Sequence, residues 1–302
     1  MTNNRVLDTR LRARLLFTLL ALCSVSLPGV AQISFSSHKY PLNNPAFVVN
    51  GDLNGDGKPD LAVLSIIGGT VSTLLNNGDG TFSSPQGFPA TRPDPDGPTR
   101  FSGLAVGDFN DDKKIDVLVT HTTDSSGTAS IYVLFGNGDG TLQLPVNAAP
   151  AFVGITFFGV GDFNGDGKLD VACYGEDSDT GGEASLMMLL GNGDGTFTRG
   201  TTVAMGLSAV GSLIADVNQD NRLDVVFAAS NQNGNVLEIF LGKGDGTFQT
   251  VKEVPSQAPS TFSLVGGDFN HDGTPDLVST SQQIQYCEFK VCHRVGPRVR
   301  LQ

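Results

Sequence analysis

The stretch GDFNGDGKLD, from Gly161 to Asp170, decides the fold because it returns in phase along the chain. It stands as GDLNGDGKPD from Gly51, GDFNDDKKID from Gly107, ADVNQDNRLD from Ala215 and GDFNHDGTPD from Gly267. The leading aspartates, Asp52, Asp108, Asp162, Asp216 and Asp268, are spaced 56, 54, 54 and 52 residues apart, so the repeat is a whole supersecondary unit. A second landmark follows in the first four repeats: NNGDGTF from Asn76, GNGDGTL from Gly136, GNGDGTF from Gly191 and GKGDGTF from Gly242.

Between the landmarks the pattern is β. Each acidic loop is followed by a short β-rich run, LAVLSI from Leu61, DVLVTH from Asp116, DVACYG from Asp170, DVVFAA from Asp224 and DLVSTS from Asp276. A third run precedes each NGDGTF, and the Asn-Gly and Asp-Gly steps supply the positive φ values of a tight hairpin, from whose Phe or Leu a weaker fourth strand leaves. Another strand enters each acidic loop, as with FVV at Phe47 and SLI at Ser212. Four antiparallel strands per repeat of this length describe the blade of a β-propeller. An all-β propeller with five visible repeats is therefore expected, its first strands lining the central channel. For Asp79, Asp139, Asp194 and Asp245 the hairpin turn itself is a sufficient reading.

On these motifs the chain resembles the FG-GAP/VCBS repeat family, the calcium-binding propeller blades of integrin α-chain heads and of many secreted bacterial proteins. The resemblance covers residues 44–280. It implies a propeller, usually seven-bladed, with a metal loop between the first and second strands of a blade. The segment from Ile33 resembles the fourth strands and is expected to complete the last blade, which lacks NGDGTF. The basic tail over 282–302 departs from the repeat and reads as a frameshift or truncation of a longer seven-bladed form.

The loop itself suits calcium, a hard cation that takes six to eight oxygens. A nine-residue loop with oxygen side chains at positions 1, 3, 5 and 9 wraps them around one centre. The first set is Asp52, Asn54, Asp56 and Asp60, with the carbonyl of Lys58 at position 7. The others are Asp108, Asn110, Asp112 and Asp116; Asp162, Asn164, Asp166 and Asp170; Asp216, Asn218, Asp220 and Asp224; and Asp268, Asn270, Asp272 and Asp276. Up to five Ca²⁺ are expected, bound with affinities on the order of 0.1–1 mM as in extracellular modules. Position 6 must turn sharply, which suits Gly57, Gly167 and Gly273; Lys113 makes the second loop the expected weakest.

Composition agrees with this. The chain has 302 residues and a formal net charge of -12, and of its acids 26 are Asp and only five Glu, which places the charge in turns and loops. Fifteen of those aspartates stand at positions 1, 5 and 9 of the five loops. No Lys/Arg cluster large enough to neutralise phosphates stands in the body of the chain, which argues against nucleic acid. Residues 1–31 read as a signal peptide, with Arg5, Arg10, Arg12 and Arg14 before the apolar run Leu15–Leu27 and small residues up to Ala31. Residues 32–302 then form the propeller, secreted or in the cell envelope, with no membrane span in the mature chain and a monomeric state expected. Of the cysteines left, Cys173, Cys287 and Cys292, an odd number, a Cys287–Cys292 pair stays open.

No H-E-x-x-H, G-x-S-x-G or C-x-x-C motif occurs, and the four histidines are scattered, so no catalytic residue is assigned and no enzyme is expected. Recognition is expected on the variable loops opposite the metal loops, with Arg92, Arg100, His121 and Tyr174 as candidates. The expected role is binding or adhesion to a surface glycan or protein. The alternatives are the propeller of a polysaccharide lyase-like or phosphodiesterase-like enzyme, and a truncated fragment without function.

Overall fold

The computed structural model describes residues 37–91, 99–123, 128–149, 152–177, 182–205, 208–231, 234–256, 261–283, 286–293 and 300–301. The chain divides into two units, Met1–Lys39 and Tyr40–Gln302, and the repeats lie in the second. The expected leader at 1–31 and the segment from Ile33 to residue 36 fall outside the described residues.

Every described element is a β-strand. The first blade is the antiparallel meander β1 (Pro45–Gly51), β2 (Asp60–Ser65), β3 (Thr70–Leu74) and β4 (Gln86–Pro89). The second is β5 (Thr99–Gly107), β6 (Asp116–Thr123), β7 (Thr128–Leu134) and β8 (Val146–Asn147). The third is β9 (Phe152–Gly161), β10 (Asp170–Asp177), β11 (Glu183–Gly191) and β12 (Phe197–Ala204). The fourth is β13 (Ser208–Ala215), β14 (Asp224–Asn231), β15 (Gly234–Phe240) and β16 (Lys252–Ser256). The last is β17 (Thr261–Gly267), β18 (Asp276–Gln283), β19 (Tyr286–His293) and β20 (Arg300–Leu301). Successive first strands β1, β5, β9, β13 and β17 are neighbours, the arrangement of propeller blades around an axis. A short pairing of Thr128 and Ala129 with Val153 and Phe152 also stitches the second and third blades into one sheet.

Hydrophobic burial explains why the middle strands read as continuous apolar runs. The second, third and fourth blades have a neighbour on each face, and in the first blade too β2 and β3 are buried almost throughout, so these strands have no solvent side to alternate towards. The core is accordingly divided into four layers, one between each pair of consecutive blades. Leu53, Ala62 and Val71 meet Phe101, Leu104 and Leu134 in the first; Phe109 and Leu118 meet Met187, Leu189 and Phe197 in the second. Phe163, Tyr174 and Met188 meet Phe227, Phe240 and Phe248 in the third; Val217, Val226 and Ile239 meet Leu264 and Leu277 in the fourth. Glycine before the leading Asp makes room for this approach: a Cβ at Gly161 would strike Leu223 of the next repeat, and one at Gly107 would strike Leu169.

Two expectations are corrected. The fourth strand leaves directly from the turn only at Phe197; elsewhere it begins four or more residues later, at Gln86, Val146 and Lys252. The last blade does not lack its fourth strand, because residues of the 282–302 tail form β19 and β20. Tyr40 meanwhile lies on the first blade, where its hydroxyl accepts the Phe82 N–H at 2.7 Å. Cys287 and Cys292 both stand on β19, and their side chains lie outside the described residues. Cys173 is buried and free, and burial pushes its thiol up to about 12, which leaves it an inert core residue.

One acid sits against the core. Glu238 on β15 faces Glu253 on β16 and Phe227 on β14 and is almost fully buried, and among the described residues its Oε2 has no hydrogen-bond partner. Burial, with the Glu253 charge adding to it, pushes the carboxyl from 4.5 to about 7. The protonated acid therefore favours the fold; that contribution is whole below about pH 4.5 and is lost as pH rises through about 7. Glu238→Gln should match the wild-type melting temperature near pH 4.5 and exceed it at pH 8 by about 2–4 °C, as for ~1 kcal/mol in a domain of this size. Melting curves taken across that range provide the check.

Candidate metal loops and blade-to-blade contacts

Each loop is closed by its own side chains. In the first, the Asp52 carboxylate accepts the N–H groups of Asp56 and Gly57 at 3.1 and 2.8 Å, and Asn54 Oδ1 accepts the same Asp56 N–H at 3.0 Å. Asp56 in turn accepts the Lys58 N–H at 2.9 Å. The same bonds recur from Asp108, Asn110 and Asp112, from Asp162, Asn164 and Asp166, from Asp216, Asn218 and Asp220, and from Asp268, Asn270 and Asp272. Since the oxygens of positions 1 and 3 reach one N–H, they converge on the inside of the loop.

The loop needs two left-handed residues, whereas spacing pointed only to position 6. Position 6 holds Gly57, Lys113, Gly167, Asn221 and Gly273 at φ of +82°, +66°, +85°, +62° and +82°. Position 4 is left-handed as well: Gly55 and Gly165, but also Asp111, Gln219 and His271 at +59°, +63° and +60°. The second and fourth loops each carry two such non-glycine residues, Asp111 with Lys113 and Gln219 with Asn221.

Position 9 does more than sequence reasoning gave it. Asp60, Asp116, Asp170 and Asp224 are fully buried, and each spends both oxygens on backbone N–H groups. One oxygen takes the N–H of position 2, from Leu53, Phe109, Phe163 and Val217 at 2.9–3.0 Å. The other takes the first N–H of the NGDGTF turn, from Asn76, Gly136, Gly191 and Gly242 at 2.7–2.8 Å. Burial pushes the Asp116 carboxyl up to about 6, against those two bonds, and the charges of Asp112 and Asp108 add to the rise. Asp170 and Asp224 are raised for the same reasons. Among the described residues no three His, Cys, Asp or Glu side chains gather at one point, because the position 9 carboxylate is drawn to the turn and the others to loop N–H groups.

The donor set still fits a hard cation. Each loop offers oxygens only, and a carboxylate oxygen that accepts one N–H keeps a second lone pair. The cationic side chain at position 7 lies outside this set: Lys58 meets Asp56 Oδ2 at 3.0 Å and Lys114 meets Asp112 at 3.6 Å, both exposed and of little energetic weight.

The NGDGTF turns close on themselves. Asp139, Asp194 and Asp245 each accept both the N–H and the hydroxyl of the following Thr, which holds their carboxyls below the usual range. The turns also lock blades together, which no spacing revealed. The second turn glycine, Gly140, Gly195 or Gly246, donates to the carbonyl of Leu53, Phe109 or Phe163 in the preceding loop at 3.0, 2.8 and 3.1 Å. The turn aromatic follows: Phe197 stands edge-on to Phe109 at 6.0 Å between centroids, and Phe248 to Phe163 at 6.3 Å.

Two of the expected ligand residues lie in the core. His121 is buried, stacked on Tyr132 at 5.2 Å and beside Phe101. Tyr174 is buried too, and its hydroxyl accepts the Ala209 N–H at 2.8 Å, joining the third blade to the fourth. Both belong to the core because the second strands are covered on two faces. Arg100 stands on β5 opposite Thr122, and Arg92 lies outside the described residues. So do residues 92–98, 124–127, 178–181 and 232–233 of the variable loops.

Fold and loops together define an all-β repeat protein of four-stranded propeller blades joined by Asp/Asn/Gly loops. Residues 52–119, 108–173 and 216–279 match the FG-GAP-like repeat, more than half of the chain, and the protein belongs to that family. Among solved structures it is similar to an Agrocybe aegerita lectin described for specific recognition of non-reducing terminal N-acetylglucosamine, at 18% identity, over 84% of this chain and 79% of that one, with a TM-score of 0.40. It is also similar to a mutant of the Aleuria aurantia lectin in complex with alpha-methyl-L-fucoside, at 10% identity, over 84% and 76%, with a TM-score of 0.47. The family assignment rests on the repeats and draws nothing from these two likenesses. A search of curated proteins by sequence finds no match.

Asp170→Asn should destabilise the fold by about 2–3 kcal/mol with or without metal, since the amide places an NH₂ against one of two buried N–H groups. Chemical denaturation in a chelator reads this directly. Lys113→Gly should instead stabilise by about 1 kcal/mol in the same assay by relieving a left-handed Cβ.

Proposed function

We propose that this is an exported calcium-binding propeller that acts outside the cell or in the envelope as a binding or adhesion module for a glycan or a protein. The observation that carries the reading is the fivefold convergence of position 1 and 3 oxygens on a single loop N–H. Oxygens so gathered suit a cation that prefers many hard donors, and Ca²⁺ accepts the larger, less regular shell that Mg²⁺ does not.

Asp52, Asn54, Asp56, Asp60 and the Lys58 carbonyl would hold the first ion, and the equivalent residues the other four. Bound calcium supplies charge compensation and loop rigidity. The chain's own residues do the rest: the position 9 carboxylates tie loop to turn, and the turns hold blade to blade, so rigidity at a loop passes to the loops at the far ends of the strands. Recognition of the ligand belongs on those far loops, at the end of the blades where β5 begins with Thr99 and Arg100.

Calcium at 10 mM should stabilise the fold by about 1.4–2.7 kcal/mol for each filled site, if dissociation constants lie at 0.1–1 mM. Scanning calorimetry with calcium, magnesium and chelator measures it, and an unchanged melting temperature in calcium would end the metal reading. Binding on a glycan array that chelator abolishes would support the module reading; turnover of an acidic polysaccharide would replace it with the enzymatic one.

A further inference from the structure

Three of the four NGDGTF turns carry an Asn-Gly step, Asn77-Gly78, Asn137-Gly138 and Asn192-Gly193, whereas the fourth has Lys243-Gly244. Asparagine before glycine is a reactive pair: with no Cβ in the way, the glycine nitrogen reaches the asparagine amide carbon at little steric cost. The three asparagines are exposed, and each donates its Nδ2 to the hydroxyl of the Thr four residues on, at 2.9, 2.8 and 2.9 Å. In that respect the three turns are alike.

They differ at the residue before the pair. In the first turn this is Asn76, whose Oδ1 accepts the Gly78 N–H at 2.8 Å and whose Nδ2 donates to the Pro59 carbonyl at 3.0 Å. In the second and third turns it is Gly136 and Gly191, where a Cβ would strike the carbonyl oxygen of Ile115 or Leu169, so no side chain fits. Among the described residues the N–H groups of Gly138 and Gly193 accordingly have no hydrogen-bond partner. The amide carbonyls differ as well. Asn137 Oδ1 accepts Gln143 Nε2 at 3.2 Å and Asn192 Oδ1 accepts the Thr198 hydroxyl at 3.0 Å, and a donor on that oxygen stabilises the negative charge it gains when the amide carbon is attacked.

We propose that Asn137 and Asn192 are sites of spontaneous deamidation in the folded protein, and that Asn76 shields Asn77 from the same reaction. The Gly138 or Gly193 nitrogen gives up its proton to hydroxide and attacks the asparagine Cγ. An N–Cγ bond forms, the Cγ–Nδ2 bond breaks, and the nitrogen leaves as ammonia with a proton from water, which restores the hydroxide. Water then opens the cyclic imide at either carbonyl, giving Asp or its isoaspartyl isomer, whose main chain runs through Cβ and is longer by one atom. Either product adds a negative charge to the turn. The isomer also changes the length of the turn beside Gly140 or Gly195, whose N–H holds the Leu53 or Phe109 carbonyl of the preceding blade. Modification therefore weakens the hold of the second blade on the first and of the third on the second.

Peptide mapping by mass spectrometry, on folded protein incubated at mildly alkaline pH with chelator present throughout, provides the test. Asn137 and Asn192 should deamidate about fivefold faster than Asn77, the factor that ~1 kcal/mol of hydrogen bond on the Gly78 N–H supplies. Asn76→Gly, which makes the first turn like the second, should bring Asn77 up to their rate and leave theirs unchanged. Asn76→Asp keeps the acceptor for the Gly78 N–H and loses the bond to Pro59, so Asn77 should stay as slow as in wild type. In denaturant the three asparagines should react alike, since the bonds that distinguish them are gone. Equal rates in the folded protein overturn the proposal, as does an absence of reaction at Asn137 and Asn192 while the denatured chain reacts. An Asn77 rate that Asn76→Gly leaves unchanged, or that Asn76→Asp raises as much as Asn76→Gly does, overturns the shielding by the Asn76 oxygen.

Discussion

The buried carboxylate at position 9 of each acidic loop is the constraint on which the rest depends. Asp60, Asp116, Asp170 and Asp224 have given up water, and the two N–H groups each accepts replace it. One oxygen holds the loop and the other the hairpin turn. A blade therefore presents a loop and a turn at a set separation, whatever the lengths of its variable connections. Loop and turn are also the parts that meet between blades, through the turn glycine N–H and the position 2 carbonyl.

Cohesion follows from that geometry. Instead of one core the protein has four layers, each made of the leading face of one blade and the trailing face of the next. Stability in such an array is close to a sum of blade terms and interface terms, so the end faces carry a cost that interior faces do not. Tyr40 covers the turn aromatic Phe82 of the first blade. Three like-charged carboxylates per loop add an opposing term, which the loop N–H groups soften and a divalent cation would reverse.

Much of this was legible in the residues themselves. Asp, Asn and Gly at fixed offsets report their own local hydrogen bonds and left-handed backbone, and the NGDGTF turns likewise report themselves through Asp and Thr. Legibility failed where a residue's partner lies in another blade. His121 and Tyr174 are polar residues near variable loops, and that pattern reads as surface; they are core because a second blade covers the strand that carries them. Tyr40 stands in the segment from Ile33, which reads as a fourth strand for the last blade, whereas its partner is Phe82 of the first. The second oxygen of each position 9 aspartate was also hidden, since its N–H partner lies 16 to 21 residues away in sequence.

By itself the sequence determined the repeat, the four-strand blade, the oxygen-lined loop and the tight turn, because each is written in bonds between residues at most nine apart or in the period of the apolar runs. Only the tertiary structure decided which faces are covered. Covering is a property of neighbours: an apolar side chain such as Phe109 or Phe269 reads the same in both loops, and whether it ends 4% or 50% exposed depends on whether a further turn is seated on it.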